Sequence, residues 1–314
     1  MKKFLVILFS AFVVFQSCKT KGTGTLEITL EVERAHASQD EMDKMKTILT
    51  QRLIKFGIDE EDISFTTKEN RLIFDLKEES NYKKFDRSMI RRLLMSSADL
   101  QFWETYSLSD VGTAINKFLD DSAGLEAWKR IQPVFQLGVS GNTYPNSCEM
   151  GTCNLRDTTA VSYFFDSLRQ IGIFPADLKF GWNETYAQDG QPISHLIMMK
   201  KTGTGGASMD FPTIEDVETT SAGDGSVSPV ISGKMTGSFK DQWARLTKAN
   251  IGKQIAITLD GIVMTYPTVQ SEIPEGGFSI TGSFTVDEAN ELVSVLSAEH
   301  LPGRIYIVEE DLLP

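Results

Sequence analysis

The chain has 314 residues, with 43 acidic against 31 basic side chains and a formal net charge of −12. An acidic chain without a Lys/Arg cluster is a poor partner for nucleic acid or anionic lipid, because neutralised phosphate supplies most of that affinity. Beyond residue 20 nothing approaches the roughly 20 unbroken apolar residues of a membrane-spanning helix, and the length suits two ordinary domains or one domain with a large insertion.

Residues 1–18 stand apart. Lys2 and Lys3 precede a 12-residue apolar run, Phe4 to Phe15, followed by Gln16, Ser17 and Cys18. The run is short for a membrane span and suits a signal peptide. Ser17-Cys18 resembles a bacterial lipoprotein processing site, with Cys18 the candidate lipid-bearing residue; an ordinary cleaved signal is the alternative. Residues 19–24 then read as a polar tether.

In residues 25–106, Leu26, Ile28, Leu30 and Val32 alternate with polar residues, as on a strand with one buried face. Ser38 and Glu41 form a capping-box pattern. Met42, Met45, Leu49, Leu53 and Phe56 follow at helical spacing, and Gly57 is placed to end that helix. Ile63 and Phe65 begin a second strand, Leu72, Phe74 and Leu76 a third, and 81–96 a second helix bearing Tyr82, Phe85, Met89 and Leu93. Leu100 and Phe102 open a fourth strand. The order β-α-β-β-α-β predicts an α+β fold with a ferredoxin-like base.

Residues 107–226 are less periodic. Helices are expected at 111–119 and 158–171, strands at 175–182 and 195–200, and loops at 138–154 and 201–226. Cys148 and Cys153, in NSCEMGTCN, are a candidate disulfide or two free thiols. A metal site would need further ligands, and His36, His195 and His300 are scattered singly. From 227 a related order returns: a strand to Lys234, a helix over 241–250 with Trp243, Leu246 and Ile251 available to a core, and a hairpin about Asp260-Gly261. A short strand at Phe278, a helix capped by Thr285 and Glu288, and a terminal strand over 304–310 follow. In that strand Ile305 and Ile307 are apolar, and Val308 falls out of phase.

No catalytic constellation emerges. TGTGG at 202–206 lacks phosphate-loop spacing, paired carboxylates such as Glu60-Glu61 suit any acidic surface, and no serine or cysteine sits in a nucleophile elbow. No cofactor is expected. Phe164, Phe165, Phe174, Trp182 and Tyr186 are candidates to line a groove for extended peptide; as single residues they read more readily as core.

The most specific signal begins at Trp243. WARLTKANIGKQIAITLDGIVMTYPTVQSEIPEGGFSITGSFTVDEANELVSVLSAEHLPGRIYIVEE closely resembles the end of the first periplasmic domain of the SecD/SecDF family. The matching pieces are Thr247 to Lys253, Ala256 to Val263, Tyr266-Pro267-Thr268-Val269 and Gly276 to Ala289. TILTQRLIKFGIDEEDISFTTKENRLIFDL and LMSSADLQFWETY are also similar to the family, of the Bacteroidetes type. Arg304 replaces the second proline of the family's L-P-x-P segment, and its early D-L-x-G-G motif is missing.

The resemblance implies a base over 25–106, a head over 107–300 with an insertion-rich part (107–226) and a SecD-like core (227–300), and a terminal strand, 301–314, returning towards the base. It implies a non-enzymatic protein that binds exported or unfolded polypeptide or Sec translocon components. The family's charged transmembrane helices are not found in this sequence, so proton coupling is not expected. A lipid-anchored protein facing the periplasm is expected, at the outer rather than the inner membrane. The alternative is an interaction lipoprotein that keeps the fold without a role in export.

Overall fold

The computed structural model describes residues 24–33, 37–78, 87–138, 146–186, 190–221 and 228–313. Cys18, His36, Tyr82 and Phe85 lie outside the described residues.

In chain order the first elements are β1 (Gly24–Val32), α1 (Gln39–Phe56), β2 (Ile63–Lys68), β3 (Arg71–Glu78), α2 (Arg87–Met95) and β4 (Leu100–Glu104). The expected capping box opens α1: the Ser38 hydroxyl accepts from the Glu41 N–H, and the Glu41 carboxylate accepts from the Ser38 N–H. Gly57 ends the helix in the left-handed conformation, φ 106°, which glycine adopts without Cβ strain. The middle of the chain supplies α3 (Leu108–Asp120), α4 (Ser122–Ile131), β5 (Phe135–Leu137), β6 (Glu149–Asn154), α5 (Thr158–Gln170), β7 (Leu178–Tyr186) and β8 (Pro192–Lys200). There follow β9 (Met209–Asp210), β10 (Ile214–Ser221), β11 (Pro229–Met235), α6 (Gly237–Ala249), β12 (Ile255–Leu259), β13 (Ile262–Thr265), β14 (Gly277–Ile280), α7 (Val286–Leu296) and β15 (Ile305–Leu313).

The α+β class is as expected, and the strands form four sheets among the described residues. The first has the order β15-β1-β3-β2, the strand order of a ferredoxin-like unit. Its fourth place is held by β15 rather than by β4, which pairs with β12 and β9 in a central sheet ordered β13-β12-β4-β9. Burial explains the exchange. Leu100, Phe102 and Trp103 of β4 are all buried, so that strand needs cover on both faces. In β15, Ile305 is buried while Tyr306 and Val308 are exposed, which suits the edge of a one-sided sheet. The phase slip at Val308 is a bulge: Leu30 faces Ile307 and Thr29 faces Glu309, leaving Val308 between them.

The remaining sheets are β10-β11-β14 and β5-β6-β8-β7. The repeat pattern seen after residue 227 is therefore divided, with β11 and β14 in the three-stranded sheet and the β12–β13 hairpin in the central one. Strands β6 and β10 lie in segments expected to be loops. EMGTCN has little apolar alternation, and β10 is interrupted by a register shift between Glu215 and Glu218. Ile251, expected inside, is exposed.

The central sheet is covered on both sides. Phe102, Ile255 and Ile257 share a core with Ile231, Trp243, Phe278 and Ala289, whereas Trp103, Ala256 and Val263 face Ile197 and Met199 of the fourth sheet. The other face of the fourth sheet packs on α3 and α5 through Leu196, Met198, Val111 and Phe165. Helix α7 joins two cores, giving Val295 to the first-sheet core and Ala289, Val293 and Leu296 to the one beside the central sheet.

Candidate functional site

The aromatic residues singled out in the sequence pack into the fourth-sheet core. Phe165 and Phe174 are buried, and Phe164 and Trp182 are partly buried against them. Phe165 lies 5.0 Å from Phe135, 5.3 Å from Phe164 and 5.5 Å from Phe180, ring centre to ring centre. The Trp182 indole N–H donates to Ser162 Oγ at 2.9 Å. These rings knit α5 to β7; they do not line an open groove. The backbone of Tyr186 belongs to β7, and its side chain lies outside the described residues.

Cys148 and Cys153 are free thiols, not a disulfide. They serve opposite faces of the fourth sheet, Cys148 towards the central sheet and Cys153 towards the helices. Burial pushes the Cys148 thiol up to about 12 and the Cys153 thiol up to about 11, which keeps both protonated at neutral pH. Among the described residues no group of three or more His, Cys, Asp or Glu side chains is arranged to hold a metal ion.

A wide open space lies elsewhere. A cleft of about 800 Å³ lies between the three-stranded sheet, β12 and residues 267–273. Its deep wall is apolar, with Trp243, Ile255, Ile257, Val269 and Phe278, all buried. Phe102 sets this wall from behind, its ring 5.0 Å from Trp243 and 5.7 Å from Phe278, both edge-on. The Trp243 N–H donates to Gly277 O at 2.9 Å, so its polar end is satisfied at the cleft. The mouth carries both signs of charge, Lys55 and Lys234 against Asp216 and Glu218. Strand β14 borders the cleft and pairs with β11 alone among the described residues.

A second groove, about 540 Å³, shares Pro267 and Thr281 with the first. It runs between β13, β7 and residues 281–284, and Ile262, Met264 and Phe284 form its apolar part. Glu184 and Glu288 are its charged residues; no lysine or arginine lines it. Beside it the fourth sheet is pinned to the central one. Thr185 Oγ1 and His195 Nε2 are 2.8 Å apart, His195 Nδ1 lies 3.2 Å from Glu149 Oε1, and the Tyr266 hydroxyl donates to Glu149 Oε2 at 3.1 Å. Burial raises the Glu149 carboxyl, but the close His195 ring and the hydrogen bond from Tyr266 outweigh it and hold it below the usual carboxylate range. Asn183 Nδ2 donates to the Val263 and Met264 carbonyls at 2.7 and 3.1 Å, completing the pin.

The chain Thr185–His195–Glu149 has the order of a nucleophile, a base and an orienting carboxylate. All three groups lie on strands of the fourth sheet, and Tyr266 carries the contact over to the central one. Nothing in the sequence announces the cleft, because its wall is built from ordinary β-sheet core residues. The only available signal was the concentration of family motifs in the strands and turns that border it.

Comparison with known proteins points to the same segment. Residues 198–303 match the family model described as SecDF, P1 head subdomain. Protein translocase subunit SecD of Rhodothermus marinus is 46% identical over 82 residues, covering 26% of this chain and 13% of that protein. SecD of Sebaldella termitidis is 43% identical over 81 residues, 26% of this chain and 20% of that protein. SecD of Magnetococcus marinus is 33% identical over 140 residues, 44% of this chain and 25% of that protein. The match thus spans a quarter or less of these relatives' length. Among solved structures, "Structure and function of a membrane component SecDF that enhances protein export" aligns with 90% of this chain and 98% of that chain at 20% identity and TM-score 0.49. "Crystal structure of SecDF in Super-membrane-facing form" aligns with 92% of this chain and 30% of that chain at 20% identity and TM-score 0.48. The resemblance to a SecD periplasmic domain read from the sequence is borne out.

Proposed function

We propose that this chain is a polypeptide-binding module of the bacterial envelope, facing the periplasm and tethered through a lipid on Cys18. It would hold exported or unfolded polypeptide, or a Sec translocon component, by binding alone, without bond chemistry and without a proton-coupled step. The observation that carries this reading is the cleft's position. All its lining residues except Lys55 fall within the segment that matches the SecDF P1 head subdomain.

Physical chemistry favours an extended, partly apolar ligand. Six buried apolar side chains line the cleft, Val217 besides the five of its deep wall, and the short edge strand β14 beside it offers backbone groups to an added strand. A mouth of mixed charge selects against no particular sign. The test is site-specific photocrosslinking in cells, from Gln270 at the cleft and from Tyr163 on α5 as a control. Exported chains or Sec subunits should be recovered from Gln270 and not from Tyr163. Recovery of neither from Gln270 would leave an interaction lipoprotein without a role in export.

A further inference from the structure

Pro267 and Thr281 line both cavities, and beside them Thr265 Oγ1 and Thr281 Oγ1 stand 3.0 Å apart and tie β13 to the end of β14. They differ in charge. The cleft has lysines and carboxylates at its mouth, whereas the second groove has Glu184 and Glu288 without a facing cation in its lining. Its apolar residues, Ile262, Met264 and Phe284, line the same groove as those carboxylates.

From this charge asymmetry we infer that the two cavities form one track for an extended polypeptide with an apolar stretch followed by lysine or arginine. The apolar stretch occupies the cleft, and the cationic side chain reaches Glu184 and Glu288. The stem of a lysine or arginine is itself apolar, so it can lie along Ile262 and Phe284 while its head stays at the solvated rim. This inference rests on the polypeptide-binding reading of the cleft and adds the chemistry of the ligand. The carboxylates contribute selectivity and the apolar wall contributes affinity, because solvated charge pairs are individually weak.

The test uses two labelled peptides of about ten residues, long enough when extended to cross both cavities. They share one apolar stretch and end in two lysines or in two glutamines; binding is followed by fluorescence anisotropy. The lysine peptide should bind the full chain about fivefold more tightly at low salt, with the advantage shrinking as ionic strength rises. In the Glu184→Gln, Glu288→Gln double variant that advantage should vanish while affinity for the glutamine peptide stays the same. Glutamine at 288 can still serve the Thr285 capping box, so α7 is preserved. Equal affinity for the two peptides in the unaltered chain, or an advantage that survives in the double variant, overturns this inference and leaves the cleft reading standing. Failure of both peptides to bind overturns the cleft reading itself. Self-association lost in the double variant would assign the groove to a second copy of this chain and also overturn the inference.

Discussion

Arg52 bears the heaviest desolvation in the first core, being fully buried on α1. Its guanidinium donates to the Leu93, Ser96 and Glu299 carbonyls, while Nε has no partner. Burial lowers its pKa to about 10, with Asp260 acting in the opposite direction, so it stays charged at neutral pH. Asp260, at the tip of the β12–β13 hairpin, accepts from the Ser96 and Ser97 hydroxyls at 2.6 Å and from the Asp99 N–H at 3.0 Å. Arg52 and Asp260 thus fasten the turn after α2 from both sides. Arg52→Ala leaves several carbonyls without a donor and should lower unfolding stability by about 3 kcal/mol in urea titration. Arg52→Met, similar in volume, should cost less; equal losses would show that hydrogen bonding and not packing is what matters there. Glu149 gives a pH-dependent case. Its folded pKa is depressed, so its contribution is present above the unfolded carboxyl value and is lost as pH falls through the depressed one. Glu149→Gln should therefore lose about 1–2 kcal/mol at pH 7 and much less near pH 3, and a pH-independent loss would contradict the assigned hydrogen bonds.

At the scale of elements, what was legible depended on whether one face of an element meets water. Helix α1, β1–β3, α7 and the β12–β13 hairpin announce themselves through alternation, caps or the Asp-Gly turn. Strand β4 is legible as a strand, but the sequence order puts it in the base sheet and the structure in the central one, since a strand buried on both faces carries no record of its neighbours. Strand β6 was invisible because Gly151, Thr152 and Cys153 take their burial from Phe135 and the fourth sheet rather than from their own pattern. The closing strand was legible even to its fault, the unpaired phase of Val308. Pairing of β15 with β1 leads to a direct expectation. Tyr306→Pro removes the ladder donor opposite Glu31 and should cost about 3 kcal/mol. Tyr306→Thr, at an exposed position, should stay within about 0.5 kcal/mol. Calorimetry that gave both variants the same midpoint would argue against β15 as part of the first sheet.

For the whole molecule, the sequence supported the family resemblance and the α+β class, and it carried no trace of the cleft. Aromatic residues were the conspicuous candidates, yet Phe164, Phe165 and Phe174 are spent on holding α5 to the fourth sheet. The open apolar surface arises instead where the three-stranded and central sheets diverge around Trp243 and Phe278. No periodicity encodes that, because a cleft is a property of two sheets and not of either one. Arg92 and Glu291 show the same principle in a structural pair: 199 residues apart, they meet with an Arg92 Nη2 to Glu291 Oε2 distance of 2.7 Å and join α2 to α7. Amide hydrogen exchange on the full chain, with and without a denatured exported polypeptide, tests the central claim most directly. Added polypeptide should slow exchange in β12, β14 and residues 267–273, leaving α5 and β7 unchanged. Slowing confined to α5 and β7, or none at all, would contradict the cleft as the binding site.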